Sequence, residues 1–432
     1  MLDRTQIPVI KDAIDFNLQL KPILAFTLNN GVEVYAIDAG AQDVLQIEWV
    51  FYAGNSVEVQ NGVAAATNHL LKNGTTNKTA FEINEHFDFY GAYCTRACYN
   101  ETASITLHTL SKHLPVLLPA VQQILTNANF TEDELATYQQ NSKQKLSVNL
   151  QKCDFVANRL IDAAVFGTTH PYGKYNIAAD YDALNTTLLK NHYNQHYING
   201  HCVIFVAGKL PADIEMQLNI NFGNLSLKNH KTATTYLQIK NEEQLANTAV
   251  QKNTVTNDEN GVQAAIRIAR PFPNRHHPDF QKIMVLNTLF GGFFGSRLMS
   301  NIREDKGYTY GIHSYIQNHI GNTAWMISTE AGKDVSTATI EEVYKEMELL
   351  QTELIEEEEL LLVRNYMIGI ILGDLDGPFQ IIGRWKNLVL NNLDADYFYN
   401  SINIIKTISA EELRELAKKY LNPTHFYQLV VI

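Results

Sequence analysis

The two halves of this chain end in the same way, and this repetition limits the folds open to it. A segment with helical character ends at Tyr197 and is followed by an apolar run at 202–208. A second such segment ends at Tyr420, before the run 426–432. The two tyrosines are 223 residues apart, which is close to half of the 432-residue length. Similarity at this spacing is typical of one domain that is present twice, and the chain is long enough for two hydrophobic cores.

Each half alternates short strand-like runs with helical segments, which predicts the α+β class. The polar residues 29–31 separate two short apolar runs and predict a β-hairpin. The spacing at 79–82 and at 409–412 is that of a capping box, which begins a helix. From Thr131 we expect one long helix that runs to about Phe166. We therefore predict two homologous domains, each an antiparallel-rich sheet covered on one face by helices.

A stretch rich in Asn, Thr, Lys and Gln lies between the halves and predicts a linker. We place the first domain at 1–225 and the second at 261–432. The intervening segment, 226–260, is expected to contain the linker and the first strand of the second domain.

Composition excludes several classes of function. A net charge of −12 argues against nucleic acid or an anionic membrane as the main partner. It is compatible with a preference for basic peptides and equally with an ordinary solvated acidic surface. No window approaches the roughly eighteen uncharged apolar residues of a membrane span, and four cysteines are too few for a disulfide framework. Residues 1–12 show no apolar signal region, so we expect a cytoplasmic protein, or a periplasmic one if a signal was removed.

The segment 62–75, Gly-Val-Ala-Ala-Ala-Thr-Asn-His-Leu-Leu-Lys-Asn-Gly-Thr, reads as a helix with a glycine at each end. It closely resembles the zinc-binding helix of the pitrilysin/insulinase (inverzincin) metallopeptidases, Gly-x-Ala-His-x-x-Glu-His-x-Leu-x-x-Gly-Thr. In that family the two histidines hold zinc, and the glutamate is the general base for the attacking water. Here Ala65 stands at the first histidine position and Asn68 at the glutamate position, so that only His69 is retained.

The resemblance also implies a third zinc ligand, a glutamate on a later helix, at a position near Lys145. No Asp or Glu occurs from Leu135 to Cys153. One imidazole cannot hold zinc, which takes three or four protein ligands. We therefore expect no metal ligands in this chain, a leftover helix-face histidine at His69, and no peptidase activity of the chain alone.

A second motif lies in the other half. Gly-Gly-Phe-Phe-Gly-Ser-Arg-Leu at 291–298 is followed by Ile-Arg-Glu-Asp-Lys-Gly-Tyr-Thr-Tyr at 302–310. This strongly resembles the C-terminal signature of the same family, in which an Arg and a Tyr seven residues later contact substrate near the scissile bond. Arg303 and Tyr310 match those two positions. Without the resemblance they would be read as a surface arginine and a sheet-face tyrosine. We expect Arg297 to pair between structural elements.

The chemistry of these side chains suits the implied role. An arginine offers several N–H donors to peptide carbonyls, and a tyrosine hydroxyl can stabilise a developing oxyanion. The resemblance spans nearly the whole chain and implies the fold of the mitochondrial-processing-peptidase-like metallohydrolases. Some bacterial members divide the work between a His-x-x-Glu-His chain and a chain that keeps only the Arg/Tyr pair.

Our leading hypothesis is therefore a non-catalytic, substrate-binding subunit of a heterodimeric zinc metallopeptidase that acts on peptides. It would supply Arg303 and Tyr310, the latter assisting catalysis in trans, to zinc held by the partner. A homodimer remains open. One alternative is a structural or peptide-holding protein like the core subunits related to processing peptidases. Another is an active peptidase with ligands that the motifs do not reveal.

Overall fold

Each half of the chain contains one mixed β-sheet in the computed structural model, which describes residues 11–232 and 252–432. The strands of the first half are β1 (Leu24–Thr27), β2 (Glu33–Asp38), β3 (Val44–Phe51), β4 (Tyr93–Cys98), β5 (Ala103–Leu110), β6 (His201–Gly208) and β7 (Lys228–Asn229). Those of the second half are β8 (Lys252–Val255), β9 (Gln263–Phe272), β10 (Thr309–Asn318), β11 (Thr323–Gly332) and β12 (Tyr427–Val431).

Five strands of each sheet follow the same order, and the first sheet also contains β1, beside β2, and β7, which pairs with β6. The strand order is β4-β5-β3-β6-β2-β1 in the first sheet and β10-β11-β9-β12-β8 in the second. In both, the first three neighbouring pairs are antiparallel and the fourth is parallel, β6 with β2 and β12 with β8. Tyr197 and Tyr420 are buried shortly before β6 and β12, which occupy equivalent places. The prediction of two homologous α+β domains is confirmed.

Helices surround both sheets. Those of the first half are α1 (Val63–Leu70), α2 (Ala80–Phe89), α3 (Leu114–Asn127), α4 (Glu132–Asn149), α5 (Cys153–Phe166), α6 (Ala178–Asp182), α7 (Thr186–Tyr193) and α8 (Ile214–Phe222). Those of the second half are α9 (Phe280–Asn287), α10 (Ser336–Thr352), α11 (Glu357–Gly373), α12 (Pro378–Leu390), α13 (Ala395–Thr407) and α14 (Ala410–Tyr420). Both predicted capping boxes are present, at the starts of α2 and α14.

The expectation of one helix from Thr131 to Phe166 is wrong. The chain leaves α4 at Leu150 and begins α5 at Cys153. Packing explains the break, because α5 does not continue along the first domain. It lies against β9 and β12 of the second sheet, where Ala157 and Ile161 join a buried cluster with residues of that sheet.

A helix of the second half packs on the first sheet in the same way. Helix α12 packs against β2 and β6 of the first sheet, and Trp385 on α12 donates a hydrogen bond of 2.9 Å to the carbonyl oxygen of Lys21. Each sheet therefore has a helix from the other half on one of its faces. Strands β6 and β9 are accordingly buried along most of their length, on both faces. This exchange ties the two halves into one body.

The predicted boundaries at 225, 260 and 261 remain a prediction. Within the segment 226–260, residues 233–251 lie outside the part of the chain that the structure describes. Strand β8 follows them and is an edge strand of the second sheet. Across the described ranges 11–232 and 252–432, no helix is both long enough and apolar enough to cross a membrane.

Candidate functional site

The residues that match the zinc motif lie around one cavity of about 890 Å³ in the first half. Ala65, Asn68 and His69 reach it from α1, and Lys145 reaches it from α4. Lys145, near the position that the resemblance assigned to the third ligand, therefore lines the same cavity as the motif residues. Helix α1 ends at Leu70, earlier than the glycine at 74 led us to expect.

Asn68, at the general-base position, is part of the core packing. Its side chain is only 3% exposed. The amide nitrogen donates to the carbonyl oxygen of Ser104 at 3.3 Å and to the hydroxyl of Tyr197 at 3.2 Å. The Tyr197 ring packs in turn on Phe51, with ring centroids 4.9 Å apart. An amide that donates twice into the core is not available to activate a water molecule.

His69 has cationic rather than metal-binding surroundings. Its ring lies beside Tyr138, with centroids 5.1 Å apart, and the Arg96 guanidinium donates to the His69 carbonyl oxygen. Desolvation lowers the pKa of His69 and the positive charge of Arg96 lowers it further, while the carboxylate of Glu134 acts in the opposite direction. Lys145 lines the same space.

These residues do not fit a zinc ion. Zinc takes three or four ligands from Cys, His, Asp or Glu, whereas the positions here are Ala65, Asn68, His69 and Lys145. In the described part of the chain, no three side chains of those four types are grouped closely enough to hold a metal. We therefore derive no catalytic step through a metal bound by this chain.

The second motif forms a separate surface. Arg303 lies on a wide helical turn, Met299–Asp305, and Tyr310 is near the start of β10. The Arg303 guanidinium carbon is 4.6 Å from the centroid of the Phe294 ring and 5.6 Å from that of Tyr310. Both distances are in the range of cation–π contacts.

The polar atoms of this pair are uncommitted. Tyr310 is 93% exposed, and among the described residues neither side chain makes a hydrogen bond or an ion pair. The residues that line the His69 cavity all lie between 65 and 181, so the structure brings Arg303 and Tyr310 to each other but not to that cavity.

A glycine in the same motif brings the turn close to the sheet. A Cβ atom at Gly291 would lie 2.6 Å from the Cβ atom of Ser314 on β10, which is closer than side chains approach. Only glycine allows this contact at position 291, and the following turn is held beside β10 as a result.

Arg297, six residues before Arg303, is bound within the protein. Its Nε and Nη2 atoms donate to the two carboxylate oxygens of Glu359 on α11, each at 2.8 Å. These hydrogen bonds raise the pKa of Arg297. The expectation that Arg297 pairs between elements is confirmed.

The sequence analysis missed a polar cluster where the two halves meet. The Tyr172 hydroxyl donates to the Glu101 carboxylate, which also accepts the N–H of Ile320 at 3.0 Å. The Tyr172 and His319 rings stack with centroids 4.1 Å apart. Burial raises the pKa of Glu101 and lowers that of His319 to about 4. No local pattern marks this cluster, because the hydrogen bond from Gly321 to Tyr172 joins residues 149 positions apart.

Comparison with known proteins finds the same family in both halves of the chain. The family profile described as insulinase (peptidase family M16) matches residues 42–173, and the one described as peptidase M16 inactive domain matches residues 183–367. The "uncharacterized zinc protease YmxG" of Bacillus subtilis is 23% identical over 378 residues, which cover 86% of this chain and 88% of that protein. The "non-peptidase homolog YmxG" of Helicobacter pylori is 23% identical over 394 residues, or 87% of this chain and 85% of that protein.

A solved structure shares the fold over almost the whole chain. The crystal structure of a peptidase M16 inactive domain from Pseudomonas fluorescens superposes with a TM-score of 0.85 at 21% sequence identity, covering 95% of this chain and 98% of that one. The two matching profiles show that the chain belongs to the pitrilysin/insulinase (M16) family of metallopeptidases, and the residues at its zinc-motif positions are those of an inactive-type member.

Proposed function

We propose that this chain is the non-catalytic, substrate-binding subunit of a two-chain zinc metallopeptidase that acts on peptides. The observation that carries the proposal is the contrast within the site: Arg303 and Tyr310 adjoin each other with free polar atoms, while the zinc-motif positions cannot bind metal. In this proposal a homologous partner with the His-x-x-Glu-His motif holds the zinc.

The free atoms of the pair are chemically suited to a peptide near its scissile bond. The Arg303 guanidinium, which contacts the rings of Phe294 and Tyr310, would donate to a substrate carbonyl. The Tyr310 hydroxyl would donate to the oxygen that gains negative charge as water attacks. Within this chain alone neither group has a hydrogen-bonding role among the described residues.

The sheet offers a place for the rest of the peptide. Strand β10, which carries Tyr310, is an edge strand among the described strands, where it pairs with β11 alone. An extended peptide that added to this edge would gain backbone hydrogen bonds and would run past Tyr310. Edge-strand pairing depends little on side chains, so it suits a subunit that presents varied peptides.

The test is to mix this chain with a homologous His-x-x-Glu-His subunit and measure peptide cleavage. Tyr310→Phe should lower kcat by about a hundredfold with little change in KM, because the lost hydrogen bond forms mainly in the transition state. Arg303→Ala should lower kcat/KM. Tyr399→Phe, a surface change on α13, is the matched control and should have no effect. An unchanged kcat for Tyr310→Phe would remove the catalytic part of the proposal.

Zinc analysis provides an independent check. After dialysis against a weak chelator, this chain alone should retain far less than one zinc per molecule, and the mixture should retain one per pair. One tightly held zinc in the isolated chain would contradict the proposal and favour an active peptidase. If Arg303→Ala and Tyr310→Phe leave all activity unchanged while peptides still bind, the structural or peptide-holding alternative is favoured.

A further inference from the structure

The cavity beside His69 is lined by positive charge. Lys72, in the turn that follows α1, Arg96 on β4 and Lys145 on α4 all line it. Within the described residues none of the three forms an ion pair. Asp88 is the only acidic side chain among the residues that line the cavity. This local excess of positive charge contrasts with the net charge of −12 of the whole chain.

Two of these cations are held in place by the protein. The Lys72 ammonium donates to the carbonyl oxygen of Cys94 at 3.0 Å and lies 5.4 Å from the centroid of the Phe87 ring. The Arg96 guanidinium donates to the carbonyl oxygen of His69 and to Asn73 Oδ1, the latter at 3.2 Å. Neutral acceptors therefore orient both groups without cancelling their charges.

An anion in this cavity would relieve an electrostatic cost. Burial lowers the pKa of Lys72 and of Arg96, and the charge of Arg96 lowers the pKa of Lys72 further. Asp88 acts in the opposite direction on Lys72, but its carboxylate is exposed to solvent. A negative group placed between the cations would stabilise their charged forms, and the partial burial would weaken its screening by solvent.

The remaining walls suit a peptide fragment more than a bare ion. Side-chain amides and rings complete the lining, among them Asn141, Asn149, Tyr138, Phe155 and Tyr181. The volume of about 890 Å³ falls within the usual range of ligand cavities and would hold several amino-acid residues. Exposed Tyr93, on the edge strand β4, forms part of the rim.

We infer that this cavity, where related peptidases hold a metal cation, binds the carboxylate of a peptide, either its C-terminus or an Asp or Glu side chain. Lys145, Arg96 and Lys72 provide the charge-assisted contacts. The inference rests on the proposed function in one respect, that the chain binds peptides, and it adds a preference for acidic groups.

The test is calorimetric titration of the full chain with three versions of one short, N-acetylated Ala/Gly/Tyr peptide. One version ends in an amide and carries no charge, one ends in a free carboxylate, and one ends in an amide but contains a single glutamate. At least one carboxylate version should bind about tenfold more tightly than the neutral version, and added salt should reduce the difference. The tighter of the two identifies the source of the carboxylate.

Variants localise the effect. Lys145 is exposed, so Lys145→Gln should leave the fold intact while it removes much of the preference for the carboxylate peptide, and Lys145→Glu should abolish it. Arg96→Gln should reduce this preference to a comparable extent, and the amide that it introduces can still donate to the His69 carbonyl oxygen. Lys190→Gln, at an exposed position on α7 away from the cavity, is the matched control and should leave all three affinities unchanged.

The outcomes separate this inference from the proposed function. Equal affinities for the three peptides, or a preference that survives Lys145→Glu, would overturn the inference even if Tyr310→Phe lowers kcat in the mixed enzyme. A carboxylate preference that depends on Lys145, in a chain that activates no partner, would support the inference and count against the proposed function.

Discussion

The two motif regions of this molecule differ in how far they depart from one family pattern. In the first half, the position of the catalytic glutamate is occupied by Asn68, whose amide makes two hydrogen bonds in the core. In the second half, Arg303 and Tyr310 retain the residues of the family and make no hydrogen bonds among the described residues. A side chain without a catalytic task can be absorbed into packing, whereas this polar pair is not, and that contrast is the basis of the proposed role in binding substrate.

The arginines of this protein show the same contrast between side chains with partners inside the protein and side chains without them. Arg267 is 1% exposed and Arg297 makes a bidentate contact with Glu359, so both have structural partners. Arg303 lies against two aromatic rings, and its N–H groups have no acceptor within residues 11–232 and 252–432. The stability of the protein should depend on the side chains that have such partners and little on those that have none.

The largest loss of stability is expected for Arg267→Ala. Arg267 on β9 holds α5 through Asp154 and through Asn158 Oδ1, the latter at 2.7 Å. Removing it leaves these acceptors at the junction of the two halves without their cation, which should lower the free energy of unfolding by about 3 kcal/mol. Urea denaturation measures the change. Arg303→Ala is the control and should change stability by less than about 0.5 kcal/mol; equal losses in the two variants would break the comparison.

The second largest effect should be a dependence of stability on pH, which arises at the contact between the two halves. His319 stacks on Tyr172, and burial, with His170 nearby, lowers its pKa to about 4, against about 6.5 when unfolded. The unfolded chain therefore binds more protons, so stability should fall as pH decreases from about 6.5 to about 4, by on the order of 2 kcal/mol from this residue.

Thermal unfolding across that pH range provides the measurement. His319→Gln should make the pH dependence shallower, whereas exposed His276→Gln should not alter it. A His319→Gln variant with the full pH dependence would show that the contact does not titrate in this way.

Asn68→Ala should have an intermediate effect. It removes two hydrogen bonds and leaves the Ser104 carbonyl without this donor, at a cost of about 1.5 kcal/mol in the free energy of unfolding. His69→Ala, one position later but exposed to the cavity, should cost less than about 0.5 kcal/mol. If the two variants unfolded at the same urea concentration, Asn68 would not be the packed residue that its contacts indicate.

The smallest loss of stability is expected for Arg297→Ala. The bidentate contact with Glu359 is partly exposed, so its loss should cost about 1 kcal/mol. Arg297→Lys should recover only part of this, because an ammonium cannot donate to both oxygens in parallel. Calorimetric melting temperatures of the two variants can be compared directly. Full recovery by lysine would mean that charge alone, and not the bidentate geometry, matters here.

Local sequence patterns predicted the elements that depend on neighbouring residues. The capping boxes of α2 and α14 and the hairpin before β2 depend on contacts within a few positions, and these predictions are confirmed. The single helix expected from Thr131 was wrong because its interruption reflects where α5 packs, on a sheet formed more than a hundred residues later. Periodicity within a segment contains no information about which sheet will cover it.

By itself, the sequence determined that the domain is present twice, that the zinc motif is degenerate, and that the Arg/Tyr motif is complete. These are statements about residue identity and spacing, which need no coordinates. Only the tertiary structure decided that α5 and α12 exchange between the halves, that Glu101, Tyr172 and His319 meet, and that Lys72, Arg96 and Lys145 surround one cavity. The physical reason is that burial and electrostatic interaction depend on distances in space, and the fold brings together charges that lie far apart along the chain.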